Sequence, residues 1–359
     1  MRSLVPSVLI LAAPALCAQG AYAPRADLEA GRFLKAHGDA EARLRQNTND
    51  ALAWAAKSQA LTAFQRIPEA LAAADKAMAL NGGLADALLA RGMARGGQAV
   101  QQRNLGSLGK ISDAIRDLEA ATATDPSLVS GWMLLGVAYQ QLPGIIGGST
   151  RKALTCAEQL RKVAPAKGDV LQGTIYSMDG HWNKALPFFG RALVLAPADP
   201  EVVYAYLDAL SSRETRKALG DAEQKQRQAA EARRLLPPVR NRAKAIEAIT
   251  DALLDAGQAE EAWSIAKAAL PQADAPSLVR LQLGKLAAKS GLHREEGLGL
   301  LNQVIKEPLE GGSGGYPAAW WRTGQLLKDL GRKSDARAAA QAALKLDPKH
   351  RGAHDLLGQ

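Results

Sequence analysis

Between Trp132 and Pro197 the apolar residues recur at helical spacing. Tyr176 lies three positions after Gly173, so the two share one helix face. Ala185, Phe189 and Ala192 fall at i, i+4 and i+7, a stripe that faces a neighbouring helix. The pattern predicts two amphipathic helices packed on each other. Gly173 and the alanines stand where two backbones approach closely, and Phe189 fills the wider gap. Pro197 closes the second helix because it cannot continue it. An ordinary helical pair would show the same stripe, so recurrence along the chain has to decide between the two readings.

The pattern does recur. Trp132, Leu135, Gly136 and Tyr139 set out W-x2-L-G-x2-Y, and Ala185, Phe189, Ala192 and Pro197 set out A-x3-F-x2-A-x4-P. Trp54, Ser58, Leu61, Ala70, Ala74 and Ala77 repeat the scheme near the start, and Trp320, Gly324, Leu327, Ala336, Ala340, Ala343 and Pro348 near the end. Weaker copies run through Gly92 and Leu118, through Leu207 and Ala232, through Leu253 and Ala266, and through Gly284 and Leu301. On these residues the chain from about residue 51 onward resembles the tetratricopeptide repeat family, whose unit is a helix–turn–helix of about 34 residues. The resemblance implies an all-α, right-handed superhelical solenoid of about eight repeats. They are expected near 51–84, 85–128, 129–165, 166–199, 200–242, 243–276, 277–316 and 317–350. Residues 21–50 are expected to form one capping helix and 351–359 a C-terminal cap.

Composition agrees with this picture. The chain has 359 residues, only 4% of them aromatic, which disfavours a β-rich fold. That length would ordinarily suggest two or three globular domains, but a solenoid grows lengthwise around one continuous core.

The first residues predict a targeting segment. Arg2 precedes an apolar run from Leu4 to Ala15, and the small residues Ala18, Gly20, Ala21 and Ala23 follow. Residues 1–20 read as a secretory signal peptide, too short for a membrane span, which predicts an exported, periplasmic protein. Cys17 could carry a lipid anchor, but Pro14, Ala15 and Leu16 before it match that motif poorly. Cys156 would then be the one cysteine of the mature chain, a small packed residue.

Departures from the period carry the functional signal. About ten extra residues lie between Arg95 and Ala114, and about five around Leu142 to Thr150. Both are expected as loops between the two helices of adjacent repeats, meeting on one edge, with Ile145 and Ile146 as an apolar lip. A third departure, Ser211 to Gly220, reads as an extended first helix. The run Gly311 to Gly315 is composed like a flexible linker.

Net charge is +9, and it is uneven. Residues 213–244 hold ten Lys/Arg against four Asp/Glu. Arg213, Arg216 and Lys217 in this segment would steer an acidic partner or an anionic envelope component, although a solvated helix face gives the same run. No aromatics interleave with these cations, which disfavours nucleic acid. The inward positions that the resemblance implies are Met133, Val137, Gln140, Val170, Thr174, Ser177, Tyr204, Asp208, Lys285, Trp321 and Arg322. They suit a peptide or protein partner. The other reading is a carrier of a small or lipidic ligand, gated by the isoleucine lip.

No catalytic pattern stands out, and no cofactor or metal is expected. His350 and His354 share helical spacing without an HExxH pattern. Gly106, Gly109 and Lys110 resemble a phosphate-binding loop, but Asn104 and Ile111 stand where its first Gly and its Ser/Thr belong.

Overall fold

The computed structural model describes residues 22–102, 107–310 and 315–358. The signal segment, Cys17, Arg103 to Gly106 and Gly311 to Gly314 lie outside them. The described residues form helices and no strands. Two helices come first, α1 (Arg25–Glu29) and α2 (Phe33–Gln46). Helix pairs follow: α3 (Ala51–Ala63) with α4 (Ile67–Leu80), α5 (Ala85–Gln102) with α6 (Ser107–Thr124), and α7 (Val129–Gln141) with α8 (Thr150–Val163). Next come α9 (Pro165–Met178) and α10 (Trp182–Leu195). Beyond them α11 (Pro200–Leu210) and α13 (Asp221–Val239) flank a short α12 (Arg213–Leu219). The stack continues with α14 (Ala243–Asp255) and α15 (Ala259–Ala269), then α16 (Pro276–Ser290) and α17 (Arg294–Val304). It ends with α18 (Gly315–Asp329), α19 (Lys333–Leu346) and the capping α20 (Arg351–Leu357). The pairing is consistent with a solenoid of about eight units.

The repeated residues act as their spacing predicts. Ala185, Ala192 and Ala343 are fully buried, Ala336 nearly so, and Phe189 lies between α9 and α10 at 3% exposure. A Cβ placed on Gly173 would come within 2.7 Å of the Phe189 ring, so the first helix must be bare there for the second to dock. Trp54 and Trp132 both hold the fourth position of their helices, and each indole N–H reaches back 2.9 Å to a carbonyl of the entering turn, Thr48 or Pro126. Burying the Phe189 ring contributes about 1.5–3 kcal/mol, and similar approaches recur at Gly92 with Leu118, Gly136 with Leu171 and Gly284 with Leu301. Cys156 is packed beside Gly136, and burial pushes its thiol up to about 12.

The curvature follows from which helices touch. First helices pack on the first helix of the next pair, as α3 does on α5, α11 on α14 and α16 on α18, the step from α5 to α7 being the loose exception. Successive second helices make no comparable contact among the described residues. An inner layer drawn together and an outer layer splayed apart bend the stack, with first helices lining the concave side.

Three expectations need correction. Residues 25–46 are not one helix: Gly31, at φ +73°, turns the chain between α1 and α2. The extra residues after Arg95 form no ten-residue loop in their described part but lengthen α5 and α6. Gly97 allows this, because its missing side chain leaves room for Ile67 of α4. The stretch 211–220 is not a longer α11. Ser212 caps a separate α12, and Gly220, at φ +83°, ends it.

Candidate functional site

The concave wall is built from one face of each first helix, so residues at the same helix position form columns across the stack. Val137, Thr174, Asp208, Asp251 and Lys285 make one such column. Its apolar end is at α7 and its charged end at α14 and α16. Lys285 Nζ lies 2.5 Å from Asp251 Oδ2 and 3.9 Å from Glu247 Oε1. Gln282 donates to Asp251 Oδ1 at 2.9 Å and to Thr250 Oγ1 at 2.8 Å. Lys244 Nζ stands 5.3 Å from the centre of the Tyr204 ring, a cation–π contact.

Burial on this wall shifts several of its charges. Displacement of water raises Glu247 above the usual carboxylate range; Lys285 opposes the shift and Asp251 adds to it. Asp208 is raised by loss of water alone. Its side chain does meet solvent, so the shift reflects the concave walls around it rather than enclosure. No side-chain hydrogen bond or ion pair of Asp208 occurs among the described residues. Arg322, half-buried, is drawn below its ordinary range by the same loss of water, which the charge of Asp251 opposes. Its guanidinium lies 3.9 Å over the Trp321 ring and donates to Gln325 Oε1 at 2.8 Å, without an ion pair.

The remaining expected positions divide. Met133, Val137, Gln140, Thr174, Ser177 and Tyr204 are half-buried on the inner wall, as is Trp321, which contacts His350. Val170 is a correction. It is 5% exposed and packs into the core with Phe189 and Val203, because its face of α9 turns toward the next pair. Thr174 spends its hydroxyl on the Val170 carbonyl at 2.9 Å. Gln140 donates to Asp179 Oδ1 at 2.5 Å. Glu247 and Asp251 escaped the sequence reading, yet they hold in α14 the positions that Tyr204 and Asp208 hold in α11. Aligning the two helices by their starts would have found them.

The lip lies at the other end of the first helices. Residues 143–148 make a tight 3-10 turn in which Ile145 is 95% exposed and Ile146 half-buried. Gly148 is fixed there because a Cβ would run into the Leu142 carbonyl. Arg213, Arg216 and Lys217 are exposed on α12, which joins α11 to α13 on that same edge. Much of the basic segment is internally paired: Arg216 and Lys225 with Asp221, Arg233 with Glu261, Arg234 with Glu231, and Arg242 with Asp274. His350 serves as the N-cap of α20, accepting the Ala353 N–H at 3.2 Å. Lys110 donates to Gln102 at 2.6 Å, a contact between helices with no bearing on phosphate. No helix among the described residues is long and apolar enough to cross a membrane.

Comparison with known proteins agrees on the repeat. Residues 317–350 match the family model described as tetratricopeptide repeat. Similar solved structures include YrrB, described as a protein of this repeat with an unusual peptide-binding site. It is 16% identical, with 56% of this chain and 98% of that one covered and a TM-score of 0.37. A tetratricopeptide repeat protein of Parabacteroides merdae is 14% identical over 73% of this chain and 96% of its own, at a TM-score of 0.43. Pseudomonas aeruginosa pilF is 16% identical over 64% and 96%, at 0.41. No curated protein matches the chain.

Proposed function

We propose that the chain, whose residues 317–350 match the tetratricopeptide repeat model, is a tetratricopeptide-repeat protein and a non-catalytic interaction scaffold whose concave wall holds a peptide or protein segment. One observation carries the reading. The wall presents a carboxylate and a guanidinium, Asp208 open to solvent and Arg322 half-buried, and neither is ion-paired among the described residues. A half-buried charge without a partner, such as Arg322, is costly, and such groups are found where a ligand supplies the missing charge. Three helix steps separate α11 from α18, about 24–30 Å at ordinary interaxial distances. A small molecule does not span that, whereas an extended peptide of about eight residues does. The partner therefore carries a cation for Asp208 and an anion for Arg322, with apolar side chains toward Met133 and Val137.

Export belongs to the same proposal. A cleaved leader at residues 1–20 would deliver the scaffold to the cell envelope, where an anionic component could meet the α12 cations. Sequencing the N-terminus of protein from fractionated cells tests this: a full-length cytoplasmic chain refutes export and leaves the groove reading intact.

Photocrosslinking in the native host tests the groove. A crosslinking amino acid at Asp208 or Val137 should capture one defined partner, and the same group at Val194, exposed on the outer α10, should not. Capture from Val194 alone would overturn the reading.

A further inference from the structure

The turns that lead into the first helices lie on the edge opposite the lip, and the N-terminal segment gathers them. Arg25 grips Asp86, at the start of α5, through Nε and Nη2 at 2.8 and 2.7 Å. Its third nitrogen, Nη1, reaches Asp125, in the turn before α7, at 2.6 Å. Nine residues on, the Leu34 N–H donates at 2.9 Å to a carboxylate oxygen of Glu310, in the turn before α18. Glu310 is 7% exposed and Leu34 half-buried, so the bond is partly shielded from water. Between those two ends, residues 26–33 roof a cavity of about 510 Å³ whose floor comes from the turns before α11, α14 and α16. Lys167, Glu201, Arg242, Lys244 and Asp274 line it.

The length of the segment makes this informative. Nine residues, five of them helical at 1.5 Å each, span at most about 25 Å. Turns far apart in sequence, from the second pair to the last, must therefore converge on one short stretch of chain. The leading edge of the superhelix is a closed rim, and the segment lies across its opening.

We infer that residues 22–34 are a clasp that holds the superhelix closed and covers the leading-edge mouth of the groove. The means of attachment suit release. Leu28 is the one buried apolar side chain of α1; Tyr22 and Phe33 pack half-buried against the same small cluster, and the ties to the distant turns are polar. An element with few buried apolar contacts opens well below the free energy of global unfolding. Its opening would free several turns at once, because one segment bridges them all. A partner that fills the groove and prefers a wider superhelix would shift the clasp toward release. That last step rests on the groove reading above; closure of the rim does not.

The test is made on the full chain without a partner, so its failure is separate from failure of the groove reading. Spin labels on cysteines introduced at Lys76 of α4 and Lys345 of α19, both exposed, report the span of the stack in a chain carrying Cys17→Ser, and buried Cys156 stays unlabelled. Wild type should give one narrow distance distribution. Arg25→Glu should shift it to longer distances and broaden it, and the exchanged pair Arg25→Asp with Asp86→Arg should narrow it again. Hydrogen exchange of the Leu34 amide is the second readout. It should quicken at least about tenfold in Arg25→Met, a milder change nine residues away, because the clasp lets go as a unit. Unchanged distances in Arg25→Glu with helicity intact, or unchanged Leu34 protection in Arg25→Met, would overturn the clasp.

Discussion

Gly173→Ala isolates the contact on which each helix pair depends. In a helix interior this change normally stabilises by about 1 kcal/mol, since glycine gives up more backbone freedom on folding. At Gly173 the new methyl carbon would stand 2.7, 2.8 and 2.9 Å from three atoms of the Phe189 ring. Ordinary carbon contacts lie near 3.5–4.0 Å, so the ring must retreat by most of an ångström. Phe189 is 3% exposed and its neighbours Ala185 and Ala192 are at 0%, which leaves nowhere to retreat. Overpacking of this kind costs about 1–3 kcal/mol, and three simultaneous clashes place it toward the upper end, for a net loss of about 1–2 kcal/mol. Gly190 is the control on the facing helix. Nothing lies within 4 Å of a Cβ there, so Gly190→Ala should stabilise by about 0.4–1 kcal/mol. Thermal melting followed by circular dichroism should therefore move in opposite directions for the two variants. Adding Phe189→Leu to Gly173→Ala should recover part of the loss, a non-additivity of about 0.5–3 kcal/mol. A Gly173→Ala protein that melts at or above wild type would refute the close-approach argument for the whole series of first-helix glycines.

Two further outcomes follow from charge. Asp169 is buried, which by itself raises its carboxyl, but hydrogen bonds from Arg191 and Arg161 outweigh this and hold it below its usual range. Its contribution is then fully present above the unfolded carboxylate range and is lost as pH falls through the lower folded value. Asp169→Asn should lower the melting temperature at pH 7, and the gap to wild type should close below about pH 4. Asp208 has the opposite sign: its folded carboxyl is raised, so the charged form costs stability once pH exceeds that value. Asp208→Asn should raise the melting temperature at pH 7, lose that advantage in acid, and weaken binding of the crosslinked partner; a lower melting temperature at pH 7 would mean that Asp208 has a stabilising role instead.

What was legible in the sequence was local. Helix pairing is written in a period of three to four residues and in glycines that face large side chains, and both can be read within forty residues. Gly97 shows where that breaks down. Beside Gly96 it reads as a loop, yet it sits in α5 because Ile67, thirty residues upstream, needs the space. Val170 failed for a related reason. The inward column was carried from the family at a fixed spacing, and the face of α9 is turned enough to bury it. The charges of the first helices were half legible: Asp208, Lys285 and Arg322 could be named from their helix positions, and Glu247 and Asp251 needed only the comparison of two helix starts. Nothing local marks Arg25 or Glu310. Their contacts cross most of the chain, and a single arginine in a short helix has no periodicity to announce them.

The two edges of the groove are therefore unequal, and this bears on how a partner enters. The edge formed by the ends of the first helices carries Ile145 and the α12 cations, both open to solvent. The edge formed by their beginnings is roofed by residues 26–33. On the proposed groove reading, an elongated partner would reach the wall from the lip side, where exposed Ile145 and the cations Arg213 and Lys217 would be the first groups it meets. Long-range charge raises the rate of encounter, whereas desolvated contacts govern the rate of escape. Arg213→Glu with Lys217→Glu should thus slow association of an acidic partner and reduce its salt dependence, with dissociation little changed. Arg322→Gln, deep on the wall, should leave association alone and speed dissociation. Binding time courses at low and high salt separate the two. If Arg322→Gln alters only association, the guanidinium does not touch the bound partner, and the eight-residue span from Asp208 to Arg322 is wrong.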